Sequence, residues 1–294
     1  MPDLIPLFQN LADGLLIGMV YAMIGIGLTL IFSVMNTINF AHGDFVVLGM
    51  YAAVFLSGLL GWDPYLSLVL IAPAGFLLGV LIQKTVLERI IDASQETSML
   101  VTLGISLIVG NLLLLAFGTE PKSIYTSYAS DTLRFLSVHV SVVLLLAGLA
   151  TLVVTSALYL LLHRTEVGRS IRATAENMLG AELVGIDTKR VQAIVMGLGT
   201  LLAVTAGVTL IPLLYATPTS TGSLFTLKAF VVIVLGGLGN VTAAAVGGLL
   251  LGVVEVLGAS YLSSDYREAY GLLAFLLVLL LKPEGLFGKK VKRV

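Results

Sequence analysis

The sequence contains no cysteine, which excludes a disulfide framework and any chemistry that needs a thiolate. Charged residues are also scarce, at 11%, against roughly 25% in a soluble domain. Apolar residues make up 58% of the chain, and the mean hydropathy is +1.05. This composition is that of an integral membrane protein.

Three signatures of enzymes are missing as well. There is no G-x-x-x-x-G-K-[ST] phosphate loop, so the chain does not bind ATP by that mechanism. There is no H-E-x-x-H metal site and no G-x-S-x-G nucleophile elbow. An intramembrane enzyme that uses His42 and Asp44 as acid and base would lack the rest of its machinery. We expect no catalytic residue, no metal site, no cofactor bound by this chain and no nucleic-acid partner.

Apolar runs near 20 residues are long enough to cross the ~30 Å hydrocarbon core as helices. Five precede the main polar loop and four follow it, at about 11–33, 43–61, 64–83, 98–117, 138–162, 191–216, 224–235, 240–260 and 266–281. The run 224–235 is short, so 224–260 forms either two spans or broken, re-entrant pieces. The sequence thus predicts an all-α integral membrane protein with about eight or nine transmembrane helices.

Basic residues set the predicted orientation, because cytoplasmic loops carry the excess of lysine and arginine. They concentrate in the loop 163–190 and at the C-terminus, as Arg164, Arg169, Arg172, Lys189, Arg190, Lys282, Lys289, Lys290, Lys292 and Arg293. We therefore place both regions in the cytoplasm and the N-terminus outside. The two regions then need an even number of crossings between them, which favours separate spans at 224–235 and 240–260. The N-terminus has no basic residue, which argues against a cleavable signal peptide.

The stretch NTINFAHGDFVVLGMY, from Asn36 to Tyr51, places polar groups between two apolar runs. Such groups are expensive at membrane depth, so they usually line a cavity or face another helix. Four of them are candidates for a transport path: Asn36, Asn39, His42 and Asp44. The alternative is a solvated loop in which His42 and Asp44 cap the next helix.

A second interruption, LGGLGN, spans Leu235 to Asn240. It follows a possible internal duplication, since Gly27–Ile31 (GLTLI) resembles Gly207–Ile211 (GVTLI) and the two helices run in opposite directions. Paired breaks in an inverted repeat point to a transport site, and amide side chains suit a zwitterionic or amide-like solute. The second set of candidates is Gly236, Gly237, Gly239 and Asn240. Glycines that only allow tight helix crossing are the alternative.

The loop 163–190 carries five basic and four acidic residues, with Ala175, Leu179 and Leu183 at helical spacing. This pattern predicts one or two amphipathic helices that dock a soluble partner. A solvated connection held by surface ion pairs is the alternative. We also expect Glu255 in the span 240–260 to pair with Lys228, because a hairpin at 236–240 brings the two charges together.

Three separated motifs together resemble the LivH-type permease of branched-chain amino acid ABC importers. They are INFAHGDF with LGMYAA, GRSIRATAENMLGAELVGID, and VLGGLGNVTAAAVGGLLLGVVE. The resemblance covers nearly the whole chain. It implies a single permease domain over 1–294, with a first bundle at about 11–162, a coupling loop at 163–190, a second bundle at 191–282 and a basic tail at 283–294.

The resemblance also implies partners in a bacterial inner membrane. These are a second, LivM-like permease, two ATP-binding subunits that use ATP, and a periplasmic binding protein, all assembled on the lipid bilayer. The coupling loop would contact an ATPase through Arg169, Arg172, Ala175, Glu176, Asn177 and Gly185. It reads Ala-Glu-Asn where other importers have Glu-Ala-Ala.

Two other functions stay open from the sequence. Urea and short-chain amide importers use related permeases, and nothing in the spans recognises a branched side chain. An ion-coupled secondary transporter would also show repeats and broken helices, with His42, Asp44 or Glu255 relaying protons. That transporter would need no ATPase, so the charged loop distinguishes the two classes.

Overall fold

The computed structural model describes residues 4–90, 93–135, 138–282 and 285–287. Long apolar runs form the helices, as the composition predicts. In chain order the helices are α1 (Leu4–Met35), α2 (His42–Leu60), α3 (Pro64–Thr85), α4 (Gln95–Phe117), α5 (Val142–Arg164), α6 (Glu166–Glu176), α7 (Met178–Leu183), α8 (Thr188–Leu210), α9 (Thr221–Gly236), α10 (Val241–Tyr261) and α11 (Arg267–Leu281). The basic tail beyond residue 287 lies outside the described residues.

Seven helices in the described part of the chain are long and apolar enough to cross a membrane. The helices α9 and α11 are shorter, with 16 and 15 residues. The predicted helical membrane fold is confirmed. One local correction is needed: residues 138–141 are not helical but form β2 (Val138–Ser141), which pairs antiparallel with β1 (Thr132–Phe135). The β-branched valines of VHVS suit a strand better than a helix.

Contacts between loops divide the bundle into two ends. At one end Gln9 bonds to His139, Asn10 to Ser260, Tyr128 to Asp63, and Lys122 pairs with Ala216. At the other end Lys189 pairs with Glu88, and the backbone of Leu286 bonds to Leu235. The coupling loop and the 236–240 turn both lie at this second end. This arrangement agrees with the alternation of crossings predicted from the apolar runs.

The helices pack as an inverted repeat would. Helix α1 makes its most extensive contact with α10, and α8 makes its most extensive contact with α3. If α1–α4 correspond to α8–α11, each of these contacts is the counterpart of the other. The contacts of α1 with α8 and of α2 with α9 each join two equivalent helices, and the contact of α2 with α8 has its counterpart in the smaller contact of α1 with α9. The packing therefore supports the duplication that GLTLI and GVTLI suggest.

The repeat shows that the predicted pairing of the two breaks is wrong. The counterpart of the break between α1 and α2 is the segment 211–220 between α8 and α9. The segment 237–240, which follows Gly236 at the end of α9, is instead a tight turn before α10 and is equivalent to residues 61–63 between α2 and α3. Helices α9 and α10 are separate elements, as the count of crossings favours.

Candidate functional site

The first break begins where Asn36 ends α1 in a left-handed conformation, with φ of 50°. Asparagine tolerates this conformation better than most residues do. The N–H of Asn36 still bonds to the carbonyl of Phe32, at 2.8 Å. The sequence Asn-Thr-Ile-Asn that follows cannot continue the helix from this point, and the chain turns back into the bundle.

Polar side chains then satisfy the free N–H groups at the start of α2. The Oδ1 atom of Asn39 accepts from the N–H of Ala41 at 3.0 Å. The Oγ1 atom of Thr226, on α9, accepts from the N–H of Gly43 at 3.0 Å and donates to the carbonyl of Phe40 at 3.1 Å. Helix α2 therefore begins inside the protein and is held there by α9.

His42 and Asp44 are both buried, so the solvated-loop alternative is wrong for them. The Nε2 atom of His42 lies 3.0 Å from the carbonyl oxygen of Ile24, to which it donates. The Oδ1 atom of Asp44 faces Gly222 in the first turn of α9. Both side chains thus lie where α2 meets α1 and α9.

Asn36 and Asn39 line a cavity of about 330 Å³ at the end of the bundle that carries the coupling loop. We call it the amide cavity, because its polar lining includes four amide side chains. Two of them, Gln83 near the end of α3 and Gln192 near the start of α8, were not predicted as site residues. Both lie close to charged residues near a helix end, where a polar residue is normally solvated, so neither stands out in the sequence.

The second break forms a separate site. Gly237 and Gly239 have φ of 120° and 79°, so the turn requires glycine at both positions. The side chain of Asn240 caps α10 by accepting from the N–H groups of Thr242 and Ala243, each at 3.1 Å. The structure therefore separates the eight candidates for a transport path into three groups. Asn36 and Asn39 line the amide cavity, His42 and Asp44 are buried between helices, and the other four lie at the turn between α9 and α10.

The coupling loop contains two helices, α6 and α7, so the prediction of one or two amphipathic helices is confirmed. Asn177 ends α6 and caps α7 through the N–H of Gly180 at 2.9 Å, and Gly185 ends the segment with φ of 87°. Arg169 forms an ion pair with Glu166 on its own helix. A cleft of about 620 Å³ separates α6 from the glycine turn, lined in part by Arg172, Ala175, Glu176 and Asn240.

Three large apolar side chains of this segment point away from the bundle. Leu179, Leu183 and Val184 are 67%, 80% and 78% exposed. We call these three residues the apolar patch. The opposite face of the segment, with Ile171, Thr174 and Ala181, is buried. An exposed apolar cluster on a polar loop is typical of a protein-binding surface.

At the opposite end of the bundle, the predicted pair of Lys228 and Glu255 is confirmed. The carboxylate of Glu255, which is 1% exposed, also accepts from the hydroxyl of Tyr21 at 2.9 Å. The Nε atom of Arg267 lies 3.8 Å from the same carboxylate. The ammonium of Lys228 lies 4.8 Å from the centre of the Tyr21 ring. This charge cluster connects α1, α9, α10 and α11.

The loop before β1 is attached at the same end through Tyr128, whose hydroxyl donates to the Oδ2 atom of Asp63 at 2.5 Å. Burial, and then the neighbouring carboxylate, raise the pKa of the Tyr128 phenol above its ordinary value. The phenol therefore remains a donor at neutral pH. Among the described residues, no three acidic or histidine side chains are grouped as metal ligands would be.

Comparison with known proteins identifies the family. The family described as the permease component of the branched-chain amino acid transport system matches residues 10–281. The chain belongs to this family. The permease protein BraD of Pseudomonas aeruginosa is 31% identical, with 98% of each chain covered. The LivH permease of Escherichia coli K12 is 29% identical, with 96% of this chain and 95% of that protein covered.

A further relative is matched over most of its length. A probable LivH permease of Methanocaldococcus jannaschii is 31% identical over 92% of this chain and 90% of its own. Among solved structures, PsaBC from Streptococcus pneumoniae in complex with Fab has a TM-score of 0.52 at 14% identity, covering 95% of this permease and 92% of that chain. At that identity the likeness concerns the fold alone.

Proposed function

We propose that this permease is the membrane-spanning subunit of an ATP-driven importer in the bacterial inner membrane, and that it translocates branched-chain or other small amino acids. A periplasmic binding protein delivers the substrate. A second, LivM-like permease completes the membrane path, and two ATP-binding subunits supply the energy. The N-terminal end of α1 faces outside and the C-terminus is cytoplasmic.

The observation that carries the proposal is the apolar patch on the coupling loop. The chain has no phosphate loop of its own, so an ATP-driven permease needs a partner that binds ATP. Leu179, Leu183 and Val184 lie at the end of the bundle that is richest in basic residues, which is the cytoplasmic end by the charge rule. An ion-coupled transporter has no use for such a docking surface.

The substrate class rests on the relatives and on the polarity of the breaks. The names of BraD and LivH state branched-chain amino acid transport. The eight candidates Asn36, Asn39, His42, Asp44, Gly236, Gly237, Gly239 and Asn240 remain our proposal for the transport path. In this proposal Asn36 and Asn39 contact the solute directly, whereas the buried His42 and Asp44 hold α2 in place.

Replacing Leu179 and Leu183 together by aspartate should abolish coupling. The substitution places two charges at the centre of an apolar interface and removes the buried contacts of both leucines. Such contacts are typically worth a factor of about ten or more in affinity. We expect loss of co-purification with the ATP-binding subunits and loss of leucine uptake in proteoliposomes that contain the binding protein. The amount of folded permease should not change, because both side chains are exposed.

The matched control is Leu262→Asp. Leu262 is 76% exposed and follows the last residue of α10, at the end of the bundle opposite the apolar patch. This variant should retain both the ATP-binding subunits and uptake. If the double aspartate variant transports leucine normally, the apolar patch does not dock the ATPase. If wild-type protein isolated under the same conditions has no ATP-binding partner, an ATP-driven mechanism is ruled out.

Sidedness gives an independent check, and the cysteine-free chain makes it direct. Single cysteines at Asn36 and Leu238 should react with a membrane-impermeant thiol reagent only in inside-out vesicles. Cysteines at Tyr125 and Leu262 should react only in intact spheroplasts. All four positions are exposed, so access to the reagent depends on the side of the membrane. Labelling of position 238 in spheroplasts would reverse the proposed orientation.

A further inference from the structure

The amide cavity contains acceptors that the protein does not satisfy. The Oε1 atoms of Gln83 and Gln192 are buried and have no hydrogen-bond partner among the described residues. Their side chains belong to residues that are only 2% and 4% exposed. A buried acceptor without a partner is costly, so its presence in a native structure needs an explanation. Both residues line the amide cavity, and rotation of the terminal amide would turn each buried acceptor toward this open space.

Two donors in the same cavity have only weak partners. The Nδ2 atom of Asn39 lies 3.7 Å from the sulfur of Met196. The Nε2 atom of Gln192 lies 4.0 Å from the sulfur of Met178. A thioether sulfur is a poor acceptor, so both amide groups are free to bond to a stronger one such as a carboxylate. The cavity therefore offers acceptors and donors at once.

The rest of the lining is aliphatic or uncharged. Ile31, Val34, Leu87 and Ile90 supply apolar surface, and no described residue of the lining carries a charge. An isolated ion would find no counter-charge here, whereas a zwitterion is neutral overall and brings both a donor and an acceptor. A volume of about 330 Å³ lies in the range of small-molecule sites.

The coupling loop forms the wall of this cavity nearest the cytoplasmic end. Thr174 and Ala175 of α6 and Met178 of α7 line it, opposite the start of α4. A movement of α6 and α7 would change the cavity directly. This placement connects an occupant of the amide cavity to the segment that we propose docks the ATPase.

We infer that the amide cavity binds one α-amino acid with an aliphatic side chain before its release to the cytoplasm. The ammonium group donates to the carbonyl oxygens of Gln83 and Gln192. The carboxylate accepts from the Asn39 amide, and the side chain packs against the aliphatic lining. The inference rests on the proposed function, and it adds a binding site within this single chain on the cytoplasmic side.

The test uses the purified importer complex in lipid nanodiscs, without binding protein and without nucleotide, and measures equilibrium binding of tritiated L-leucine. We expect saturable binding to wild type, and binding about tenfold weaker or worse in Gln83→Met and Gln192→Met, since each variant removes one hydrogen bond to a charged group. Isoamylamine and 4-methylpentanoate, which each lack one charge of leucine, should not compete.

Methionine matches glutamine in shape and removes an unsatisfied acceptor, so the variants should unfold at the same temperature as wild type or higher. They should lose the rise in unfolding temperature that leucine causes. The matched control is Asn111→Met on the exposed face of α4, whose amide bonds to its own helix at Leu107. This control should bind leucine as wild type does.

The outcomes separate the two proposals. If wild type takes up leucine with its binding protein but shows no leucine binding in the nanodisc assay, or if both methionine variants bind leucine normally, the cavity holds only water and the inference is overturned. If wild type takes up no leucine at all, the proposed substrate class and the inference fall together. Weaker binding caused by unfolding would lower the unfolding temperature, and that result would also contradict the inference.

Discussion

Replacing Glu255 by leucine should cost about 3–5 kcal/mol of stability and sharply reduce the amount of folded permease. The carboxylate is almost fully buried and is the shared partner of Lys228, Tyr21 and Arg267. Its removal leaves the Lys228 ammonium, which is 14% exposed, without a counter-charge at membrane depth. The measurement is the unfolding temperature in detergent together with the yield of monodisperse protein.

The neutral double variant Lys228→Met with Glu255→Leu should recover most of this loss, because well-packed apolar residues replace a buried ion pair at little cost. Exchanging the charges, as Lys228→Glu with Glu255→Lys, should recover less, since Arg267 would then face a lysine. The surface pair of Glu120 and Lys122, 3.9 Å apart with Glu120 86% exposed, provides the control. Glu120→Gln should have no measurable effect. A fully stable Glu255→Leu variant would show that the cluster is solvated.

This charge cluster was predictable because two charges in an apolar sequence must be paired or reach water. Glu255 and Lys228 lie at similar distances from the turn at 236–240, so a hairpin alone brings them together. Tyr21 and Arg267 were not predicted, because their place in the cluster depends on α1 and α11. Contacts within one hairpin follow from the local sequence, whereas contacts between distant helices require the packing of the whole bundle.

The two breaks illustrate the same limit. The glycines of Gly236–Asn240 predict a break in a transport path. In the structure Gly237 and Gly239 form a tight turn whose backbone only glycine adopts readily. In the repeat, the counterpart of the first break is 211–220, which has hydroxyl side chains and two prolines but no amide or charged side chain, so its composition does not indicate a site. The repeated GLTLI and GVTLI do indicate which segments correspond, because a helix begins 11 residues after Ile31 and 10 residues after Ile211.

Two of the four amide side chains that line the amide cavity were predicted from the sequence. Asn36 and Asn39 stand out because they interrupt an apolar sequence, but Gln83 and Gln192 lie near helix ends, where a polar residue is normally solvated. Only the crossing of α3 and α8 places both glutamines against the break. Without this crossing the cavity would have no unsatisfied acceptor, and its proposed ligand would have no binding partner.

Replacing Gly207 by alanine should destabilise the permease by about 1–3 kcal/mol or more, although alanine is the better helix former. A Cβ atom at position 207 of α8 would overlap the carbonyl oxygen of Val46 and lie 2.8 Å from the N–H of Met50, both on α2. These are backbone atoms, so the two helices must separate. We expect a lower unfolding temperature and, because α2 follows the first break directly, weaker leucine uptake.

The matched control is Gly104→Ala on α4, where a Cβ atom would meet nothing within 4 Å. Both changes add the same methyl group within a helix, at Gly207 in the last turn of α8 and at Gly104 in the middle of α4, and they differ mainly in what the methyl group contacts. Gly104→Ala should be neutral or slightly stabilising. If Gly207→Ala also proves neutral, α2 and α8 do not approach as closely as described. The first break contacts α8 through Asn39 and Met196, so its position would then differ as well.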